Sequence, residues 1–585
     1  MKSKLLNPVD SLRQRAGENS DDLAFTFLDQ GEIETDKLTY LELDQRARKI
    51  AATLQQKYQP GTRALLLFPT GADFMSAMYG CLFAGVIPIP TNPPRLNRPA
   101  LRLEAIVKDS RAAVALTNQD FMQDLDKRTE QIPSLGKMDW LDFADTQEAD
   151  AESWTRPEIK DDGVAFIQYT SGSTTSPRGV VISHRNVAYN TLVIRELRGI
   201  EPRDNSVIVN WAPIYHDMGL ITGIFQSIYD KSLSVMMTPV AFLQQPIRWL
   251  RAISKYGGTA SGGPNFSFDI CVNKIEEQEC EGLDLSTWKN AWNSAEPIRA
   301  ETQERFADRF SPYGFDISCF TPGYGLAEAT LLVSGYNGRP SPTTAWVDRS
   351  ALEEGQILAA GAEADDRQEL VSCGPPLMDL QVAIVDPQTM QACPPDQVGE
   401  IWVRGENVSS GYWDRKEDTE RVFNARIFGE NGEAYMRTGD LGFMMDGDLY
   451  VTGRLKDLII VRGRNYYPQD IEVTVEKSHP AIQPGGGAAF AIKVDGSEHL
   501  IVVHEVKREA RNNLDLEDVT KAVRYAIARD QGIRAYAVVL IRPYSLPKTS
   551  SGKVMRHAAK LQYETGELSV VGEWRATQLT RESSS

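Results

Sequence analysis

The segment from Tyr169 to Gly179 combines hydroxylated, small and cationic residues in a way that suits polyphosphate binding. It lies between two short apolar runs, 164–168 and 180–183, which predict a strand on each side. Its hydroxyls and backbone N–H groups can donate hydrogen bonds, and Gly172 allows close approach of a ligand. A Ser/Thr-rich turn is the alternative interpretation. We call the segment 169–179 the Ser/Thr loop. It is not a Walker A loop, because it does not end in Gly-Lys-Ser/Thr and no helical pattern follows it at once.

In its full order the Ser/Thr loop resembles the phosphate-binding signature of the adenylate-forming enzymes. This superfamily comprises acyl-CoA synthetases, luciferases and peptide-synthetase adenylation domains. Arg178 stands where lysine is usual, which keeps the charge and changes its geometry. The resemblance implies that ATP phosphates are contacted by Thr170, Ser171, Gly172, Ser173 and Thr174.

Two further segments, 293–297 and 323–330, resemble the adenine-side segments of that superfamily. Read alone, each is a turn with an exposed glutamate. Their joint order favours a nucleotide site, in which Tyr324 can stack on a purine and Glu328 can hold Mg²⁺. The resemblance adds Ala295, Glu296 and Gly325 as nucleotide-binding residues.

The segments 437–442 and 453–457 resemble the ribose-binding signature and the hinge that follows it. The carboxylate of Asp440 suits two adjacent ribose hydroxyls, because one acid group can accept both hydrogen bonds. Arg454 would meet ribose or phosphate, and Lys456 would be the hinge. A surface β-turn is the alternative for the second segment.

Lys553 ends a Ser/Gly-flanked loop, 546–553, that resembles the superfamily's catalytic-lysine segment. By itself such a loop is typical of a solvated linker. The resemblance implies that the ammonium of Lys553 offsets the charge that develops when a carboxylate attacks the α-phosphate. The segment 211–219 resembles the superfamily's aromatic/histidine segment beside the acyl pocket, which implies that His216 lies near the reactants. We expect it to position them and not to act as a general base, because a carboxylate is already ionised at pH 7. Helix capping, with Asp217 as N-cap, is the alternative for this histidine segment.

Longer strings at 166–168, 215–220, 261–266, 295–299 and 463–472 resemble one branch, the fatty acyl-AMP ligases. Membership implies that ATP and Mg²⁺ convert a medium- or long-chain fatty acid to an acyl-adenylate with release of pyrophosphate. The acyl group would then pass to the phosphopantetheine thiol of an acyl carrier protein. The acyl pocket would include Gly263, Phe266 and Leu326, and Ser294 departs from the usual glycine. The alternatives are a synthetase that uses free coenzyme A, an amino-acid-activating enzyme, and a non-catalytic acyl-AMP or nucleotide-binding protein.

The composition argues against several classes of binding partner. The net charge of −17 over 585 residues argues against nucleic acid and against an electrostatically held membrane surface. The six cysteines show no zinc spacing, and the N-terminus lacks a secretory pattern. The most apolar stretch, 63–90, is interrupted by glycine, proline and aspartate, so no stable membrane insertion is expected. We therefore expect a cytoplasmic enzyme; the oligomeric state and acyl chain length are not predicted.

The pattern of strands and helices predicts an α/β protein with two parts. A β–α–β unit at 63–90 and a similar alternation at 206–237 predict parallel sheets, and the short strands from 380 onward predict a β-rich subdomain. Beyond 457 the pattern becomes a small α+β unit. We expect an N-terminal domain over 1–455 and a mobile C-terminal domain over 456–585. The acidic stretch 348–368 is expected to be a solvated loop or a short helical insertion, where the fatty acyl-AMP ligases carry one.

Overall fold

The computed structural model describes residues 5–94, 100–170, 177–199, 206–336, 343–361, 363–364, 366–430, 432–461, 463–494, 497–549 and 552–576. Of the predicted phosphate-binding residues, Ser171, Gly172, Ser173 and Thr174 lie outside these ranges.

The N-terminal part contains the parallel unit that its β–α–β pattern predicts. Its helices and strands are α1 (Pro8–Glu18), β1 (Leu23–Asp29), β2 (Ile33–Thr39), α2 (Tyr40–Lys57), β3 (Arg63–Leu67), α3 (Ala72–Ala84), β4 (Ile87–Pro90), α4 (Leu101–Ser110), β5 (Val114–Thr117), α5 (Gln119–Gln123), α6 (Leu125–Gln131), β6 (Asp139–Asp142), α7 (Phe143–Thr146), β7 (Val164–Tyr169) and β8 (Gly179–Ser183). Strands β4, β3, β5 and β6 form a parallel sheet in that order. The antiparallel pair β7–β8 holds the two ends of the Ser/Thr loop, as the flanking apolar runs predict.

An eight-stranded sheet forms the centre of the large domain. The elements that follow β8 are α8 (His184–Arg198), β9 (Val207–Asn210), α9 (Asp217–Leu220), α10 (Gln226–Asp230), β10 (Leu233–Met237), α11 (Pro239–Gln244), α12 (Ile247–Tyr256), β11 (Ala260–Gly263), α13 (Asn265–Lys274), β12 (Asn290–Asn293), α14 (Ala300–Phe310), β13 (Phe320–Gly325) and β14 (Leu332–Gly335). The strand order is β14-β13-β12-β11-β9-β10-β1-β2, parallel from β13 to β1 with an antiparallel strand at each edge. A π-helical turn, Ile221–Phe225, joins α9 to α10. Ligands bind at the carboxyl ends of strands in such sheets, and the predicted adenine-side segments follow β12 and end β13.

The β-rich region is a four-stranded antiparallel sheet, β17-β18-β19-β20, preceded by a separate strand pair. Its elements are β15 (Thr344–Asp348), α15 (Arg349–Glu353), β16 (Arg367–Val371), β17 (Gln381–Val385), β18 (Gly399–Arg404), α16 (Lys416–Phe423), β19 (Met436–Met445) and β20 (Asp448–Arg454). Strand β19 was not predicted, because its Arg-Thr-Gly-Asp stretch lacks an alternating apolar pattern.

The C-terminal part is the small α+β unit that the sequence predicts. It contains β21 (Ile459–Val461), β22 (Arg464–Tyr466), α17 (Pro468–Ser478), β23 (Ile482–Val494), β24 (Ser497–Val506), α18 (Leu516–Asp530), β25 (Ala535–Ile541), α19 (Arg556–Thr565) and β26 (Val570–Arg575). Strands β23 to β26 form a mixed sheet, in which β24 and β25 are parallel. The α/β class with a large and a small part is confirmed. No helix in the described part of the chain is long and apolar enough to cross a membrane.

The contact between α2 and α3 depends on a glycine. A β-carbon at Gly80 would lie 2.5 Å from Cγ2 of Ile50 and 3.3 Å from the carbonyl oxygen of Ala47. We expect Gly80→Ala to force these helices apart and to destabilise the protein by about 1–3 kcal/mol, seen as a lower midpoint of thermal unfolding. Gly17→Ala in α1 is the matched control, because nothing lies within 4 Å of that position. An equal loss in both variants would contradict this packing explanation.

Candidate functional site

A cleft of about 2030 Å³ lies where the large domain meets the C-terminal part. It brings together predicted site residues that are far apart in sequence. Its lining includes Thr170, His216, Phe266, Ala295, Glu296, Tyr324, Gly325, Leu326, Glu328, Asp440, Arg454, Lys456 and Lys553.

Asp440 and Arg454 face each other because they are register partners in the β19–β20 hairpin. One carboxylate oxygen of Asp440 lies 3.3 Å from Nε of Arg454, and the other accepts a hydrogen bond of 2.8 Å from the hydroxyl of Tyr324. The carboxylate of Asp440 raises the pKa of Arg454, which therefore stays cationic. Burial raises the pKa of the Tyr324 hydroxyl, so this group stays a neutral donor. Tyr324 and Arg454 together hold the carboxylate of Asp440 at the cleft in a fixed orientation.

Glu328 also lines the cleft and is held by Tyr412, a residue that sequence reasoning missed. The hydroxyl of Tyr412 donates a 2.9 Å hydrogen bond to the carboxylate of Glu328. The guanidinium of Arg178 lies 5.2 Å from the ring centroid of Tyr412 and 3.4 Å from the carboxylate of Asp418. Arginine stacks on aromatic rings better than lysine, which gives the unusual Arg178 a physical reason. Burial raises the pKa of Glu328.

His216 occupies the N-cap position of helix α9, so the expectation that Asp217 is its N-cap is wrong. The N–H of Met218 nevertheless donates its shorter hydrogen bond, 2.7 Å, to the carboxylate of Asp217. The backbone of His216 is extended, and its Nδ1 lies 3.4 Å from the N–H of Met218. The same ring nitrogen lies 2.5 Å from the carboxylate of Asp217, which is the first residue of the helix. Burial acts to raise the pKa of Asp217, but the pairing with His216 outweighs it and the pKa is lowered. Asp217 therefore presents a negative charge to the cleft.

The segment with Ala295 and Glu296 has a structural task that the sequence did not indicate. Ala295 adopts the left-handed conformation with φ 73°, in which a glycine is more usual. This turn aims the carboxylate of Glu296 at the start of α13, where it accepts a 2.6 Å hydrogen bond from the N–H of Phe266. Burial raises the pKa of Glu296. Glu296 thus satisfies an otherwise unpaired helix N-terminus.

Two of the predicted acyl-pocket residues, Gly263 and Phe266, pack against Trp211. A β-carbon at Gly263 would lie 2.5 Å from Cζ2 of Trp211, and the rings of Phe266 and Trp211 meet edge to face at 6.3 Å. Gly325 has no room for a side chain either, because its β-carbon would lie 1.7 Å from the carbonyl oxygen of Leu331. Leu326 is partly buried against the main core of the large domain. Close backbone approach explains both glycines without a ligand.

The start of the Ser/Thr loop is held by Arg102, a second residue that sequence reasoning missed. Its guanidinium donates hydrogen bonds of 3.2 and 2.8 Å to the carbonyl oxygens of Tyr169 and Thr170. The N–H of Thr170 donates to the carbonyl oxygen of Arg178 at 3.2 Å across the mouth of the loop. A lone arginine on helix α4 carries no sequence signal for this contact.

Lys553 enters the cleft from the C-terminal part. Backbone hydrogen bonds between Thr549 and Lys553 (2.8 Å) and between Gly552 and Thr549 (3.0 Å) fold its loop into a tight turn. Gly552 has φ 89°, and its β-carbon would lie 3.1 Å from the ring of Phe266, so the turn rests on the large domain. Burial lowers the pKa of Lys553 and the charge of Arg454 lowers it further.

Three carboxylates of the large domain raise the pKa of Lys553, against the effects of burial and of Arg454. They belong to Asp217, Glu296 and Asp440, and each raises its pKa. They come from the segments that follow β9 and β12 and from β19. The cleft therefore gathers a half-buried cation among acidic groups from three separate segments of the large domain.

Comparisons with known proteins agree with this geometry. The family model described as AMP-binding enzyme matches residues 12–413, and the model described as Disco-interacting protein 2-like, AMP domain, matches residues 456–573. The chain belongs to the AMP-binding enzyme family.

Named relatives show which members of this family the chain is similar to. The chain is 43% identical to the medium-chain-fatty-acid–[acyl-carrier-protein] ligase JamA of Moorena producens over 97% of this chain and 96% of that protein. It is 36% identical to the long-chain-fatty-acid–AMP ligase FadD26 of Mycobacterium bovis over 95% and 96% of the two chains. The fatty acyl-adenylate ligase of Legionella pneumophila, solved with acyl adenylate and pyrophosphate, is 38% identical over 97% and 98% of the chains, with a TM-score of 0.75. The resemblance to fatty acyl-AMP ligases is confirmed; the roles of individual site residues stay predictions.

In this AMP-binding enzyme, the acidic stretch 348–368 contacts the C-terminal part. Arg349 donates a 2.6 Å hydrogen bond to the carbonyl oxygen of Asp530, and Gln368 donates one of 2.9 Å to the carboxylate of Asp470. Glu353, only 9% exposed, lies 3.3 Å from the guanidinium of Arg464. A short helix, α15, is present, as one of the two expectations has it, and both ends of the stretch contact the C-terminal part.

The contact between Gln368 and Asp470 generates a pH-dependent prediction. Burial raises the pKa of Asp470 to about 6, whereas the unfolded carboxyl loses its proton near pH ~4. Between these values the native enzyme binds more protons than the unfolded chain, so this group makes stability fall as pH rises. We expect Asp470→Asn to remove that part of the slope of the unfolding midpoint against pH. Glu517→Gln, which removes an exposed carboxylate on α18, is the control. Parallel profiles for wild type and Asp470→Asn would contradict the assignment.

Proposed function

We propose that this enzyme activates a fatty acid with ATP, giving acyl-adenylate and pyrophosphate, and then transfers the acyl group to the phosphopantetheine thiol of an acyl carrier protein. The observation that carries the proposal is the position of Lys553 in the cleft, next to Arg454 and within the influence of Asp217, Glu296 and Asp440. The named activities of the relatives JamA and FadD26 support the fatty-acid substrate, and that of JamA supports the carrier protein.

The nucleotide is proposed to lie between β13 and the β19–β20 hairpin. Asp440 would accept hydrogen bonds from the ribose hydroxyls, and its pairing with Tyr324 and Arg454 would keep both oxygens aimed at them. The Ala295–Glu296 turn and Gly325 would form the adenine side. Thr170 would begin the phosphate-binding stretch, together with the residues 171–174.

Magnesium fits the carboxylate of Glu328 together with substrate phosphates. The described residues contain no group of three or more His, Cys, Asp or Glu side chains that could hold a metal alone. Mg²⁺ is commonly bound by one or two carboxylates together with substrate phosphates, and Glu328 is one such carboxylate, steadied by Tyr412. When bound, the ion would offset phosphate charge during the reaction.

In the first step, a carboxylate oxygen of the fatty acid attacks the α-phosphorus of ATP. A new P–O bond forms, the bond to the β-phosphate oxygen breaks, and pyrophosphate leaves with the electron pair. The reaction brings two anions together, so the ammonium of Lys553 stabilises charge that grows in the transition state. His216, fixed by Asp217 at the start of α9, positions the carboxylate and removes no proton.

In the second step, the thiol replaces AMP on the acyl carbon, which requires Lys553 to leave the cleft. We propose that the C-terminal domain, 456–585, turns about Lys456 relative to the domain 1–455. Lys456 lies exposed in a single helical turn, Leu455–Asp457, between β20 and β21. The separate family matches on either side of this point support the boundary. Hinge motions of this kind commonly exchange one catalytic arrangement for another.

Removing the lysine amine tests the first step. We expect Lys553→Ala to slow fatty-acid-dependent ATP–pyrophosphate exchange by at least about 10²-fold, with ATP affinity largely kept, because the loss falls on the transition state. Lys548→Ala is the matched control: it lies in the same loop, but its ammonium donates a 2.7 Å hydrogen bond to the carbonyl oxygen of Gly485. Equal losses in the two variants would attribute the effect to loop disruption and contradict the catalytic assignment.

The acceptor is tested by product analysis. The enzyme is incubated with MgATP and octanoic acid, with coenzyme A or a phosphopantetheinylated carrier protein in separate reactions, and mass spectrometry measures acyl-AMP and both thioesters. We expect acyl-AMP in every reaction and thioester on the carrier alone. A carrier that lacks phosphopantetheine is the control. Efficient acyl-CoA formation would contradict the carrier assignment while keeping the adenylation step, and absence of acyl-AMP would contradict both.

A further inference from the structure

The cleft continues beyond the reaction centre along one face of the eight-stranded sheet, beneath helix α8. This distal arm is lined by apolar side chains of Ile194, Leu197, Ile208 and Leu331. Helix α8 closes it from above, where the amide of Asn190 donates a 3.0 Å hydrogen bond to the carbonyl oxygen of Leu332 on β14. An apolar channel that opens at the adenylation site suits the alkyl part of an acyl chain.

The strand register gives the direction and extent of the distal arm. Ala291 on β12 pairs with Phe320 on β13, so Asn290 lies level with the residue before Phe320. Gly323, at the reaction end, is further along β13 by about 13 Å at ~3.3 Å per residue. Asn290 and Gly323 both line the cleft. The distal arm therefore runs from the carboxyl ends of the strands toward their amino ends.

The far end of the distal arm carries a buried charged network instead of an apolar cap. Arg198 is 7% exposed and Gln226 is 0% exposed, and both line the cleft. Their side chains converge on one carboxylate oxygen of Asp230, at 3.1 Å from Arg198 and 2.6 Å from Gln226. The other oxygen of Asp230 accepts a 2.8 Å hydrogen bond from Arg195. Ser206 accepts a further 2.9 Å hydrogen bond from Arg198.

This network leaves one donor and one acceptor unused at the cleft end. Among the residues that the structure describes, Nε of Arg198 and Oε1 of Gln226 are buried and have no hydrogen-bond partner. Unpaired buried polar groups are rare in native proteins because each costs free energy. Both side chains are already fixed by the same oxygen of Asp230, through Nη1 of Arg198 and Nε2 of Gln226.

We propose that the distal arm binds an acyl chain that bears a hydroxyl group toward its far end, held by Arg198 and Gln226. The inference rests on the proposed fatty-acid adenylation and specifies its substrate class. A hydroxyl accepts a hydrogen bond from Nε of Arg198 and donates one to Oε1 of Gln226, so it satisfies both atoms at once. A methyl end satisfies neither. A carboxylate end satisfies the donor only and places its charge near Gln226 Oε1 and Asp230.

The test compares acids that differ only at the far end. ATP–pyrophosphate exchange is measured for hexanoic, octanoic and decanoic acids, for their ω-hydroxy derivatives and for the corresponding dicarboxylic acids. At the chain length that reaches the network, we expect kcat/KM for the hydroxy acid to exceed that of its parent by about tenfold or more. Equal values at every length would overturn the proposal, since a bound water would then satisfy the network. Preference for a dicarboxylic acid would overturn it as well. Exchange with none of the acids would contradict the proposed function itself.

Variants separate recognition from folding. Gln226→Met removes the acceptor at similar length, and Arg198→Lys keeps a cation for Asp230 while removing Nε. We expect each to reduce the ratio of kcat/KM for the hydroxy acid to that for its parent toward one. Ile208→Val is the matched control in the distal arm. It changes the cavity for both acids alike, so we expect the ratio of their kcat/KM values to be unchanged. Unfolding midpoints identify variants that fail to fold. If both variants fail to fold, the proposal is judged from the ratio of kcat/KM values measured for the wild type. A ratio that persists in both folded variants would overturn the assignment of these residues.

Discussion

The contact between the two parts of the chain centres on a half-buried cation that belongs to a different part of the chain from the carboxylates it faces. Lys553 is desolvated in the cleft, which lowers its pKa, and the carboxylates of Asp217, Glu296 and Asp440 act against that cost. Attraction to these groups favours the arrangement in which the C-terminal part lies against the large domain. A reaction between two anions needs such a cation, and the same attraction that supplies it also holds the two parts together.

Each of the three carboxylates that act on Lys553 is fixed by a structural partner. Asp440 is held by its register partner Arg454 and by Tyr324. Glu296 caps helix α13, and Asp217 pairs with His216 at the start of α9. Because each carboxylate already has a partner, the geometry of the cleft does not depend on Lys553 being present. The large domain can therefore keep its nucleotide-facing surface when the small domain moves, as the proposed second step requires.

The sequence predicted the local elements better than the contacts between them. The strands around the Ser/Thr loop and the β–α–β unit have clear apolar periodicity, and both are present. Strand β19 and the edge strand β26 contain glycines and charged residues, so their pairing is decided by neighbouring strands and not by their own pattern. The support of Glu328 by Tyr412 joins positions 84 residues apart. No spacing rule within one sequence reports such tertiary contacts.

Specificity for the acyl substrate also depends on tertiary contacts that sequence spacing does not report. The adenylation motifs lie on short contiguous segments, so a resemblance can transfer them residue by residue. The far end of the distal arm is assembled from the last residue of α8, the first of α10 and the last of α10. Buried charges in such a place are costly unless paired, and two arginines share the single carboxylate of Asp230. Asp230 accepts hydrogen bonds from Arg198 and Gln226 but leaves Nε of Arg198 and Oε1 of Gln226 without a partner among the described residues. A purely hydrocarbon chain could not form hydrogen bonds with these two atoms. That mismatch between the apolar walls and the polar end gives this pocket a chemical preference that its adenylation motifs do not carry.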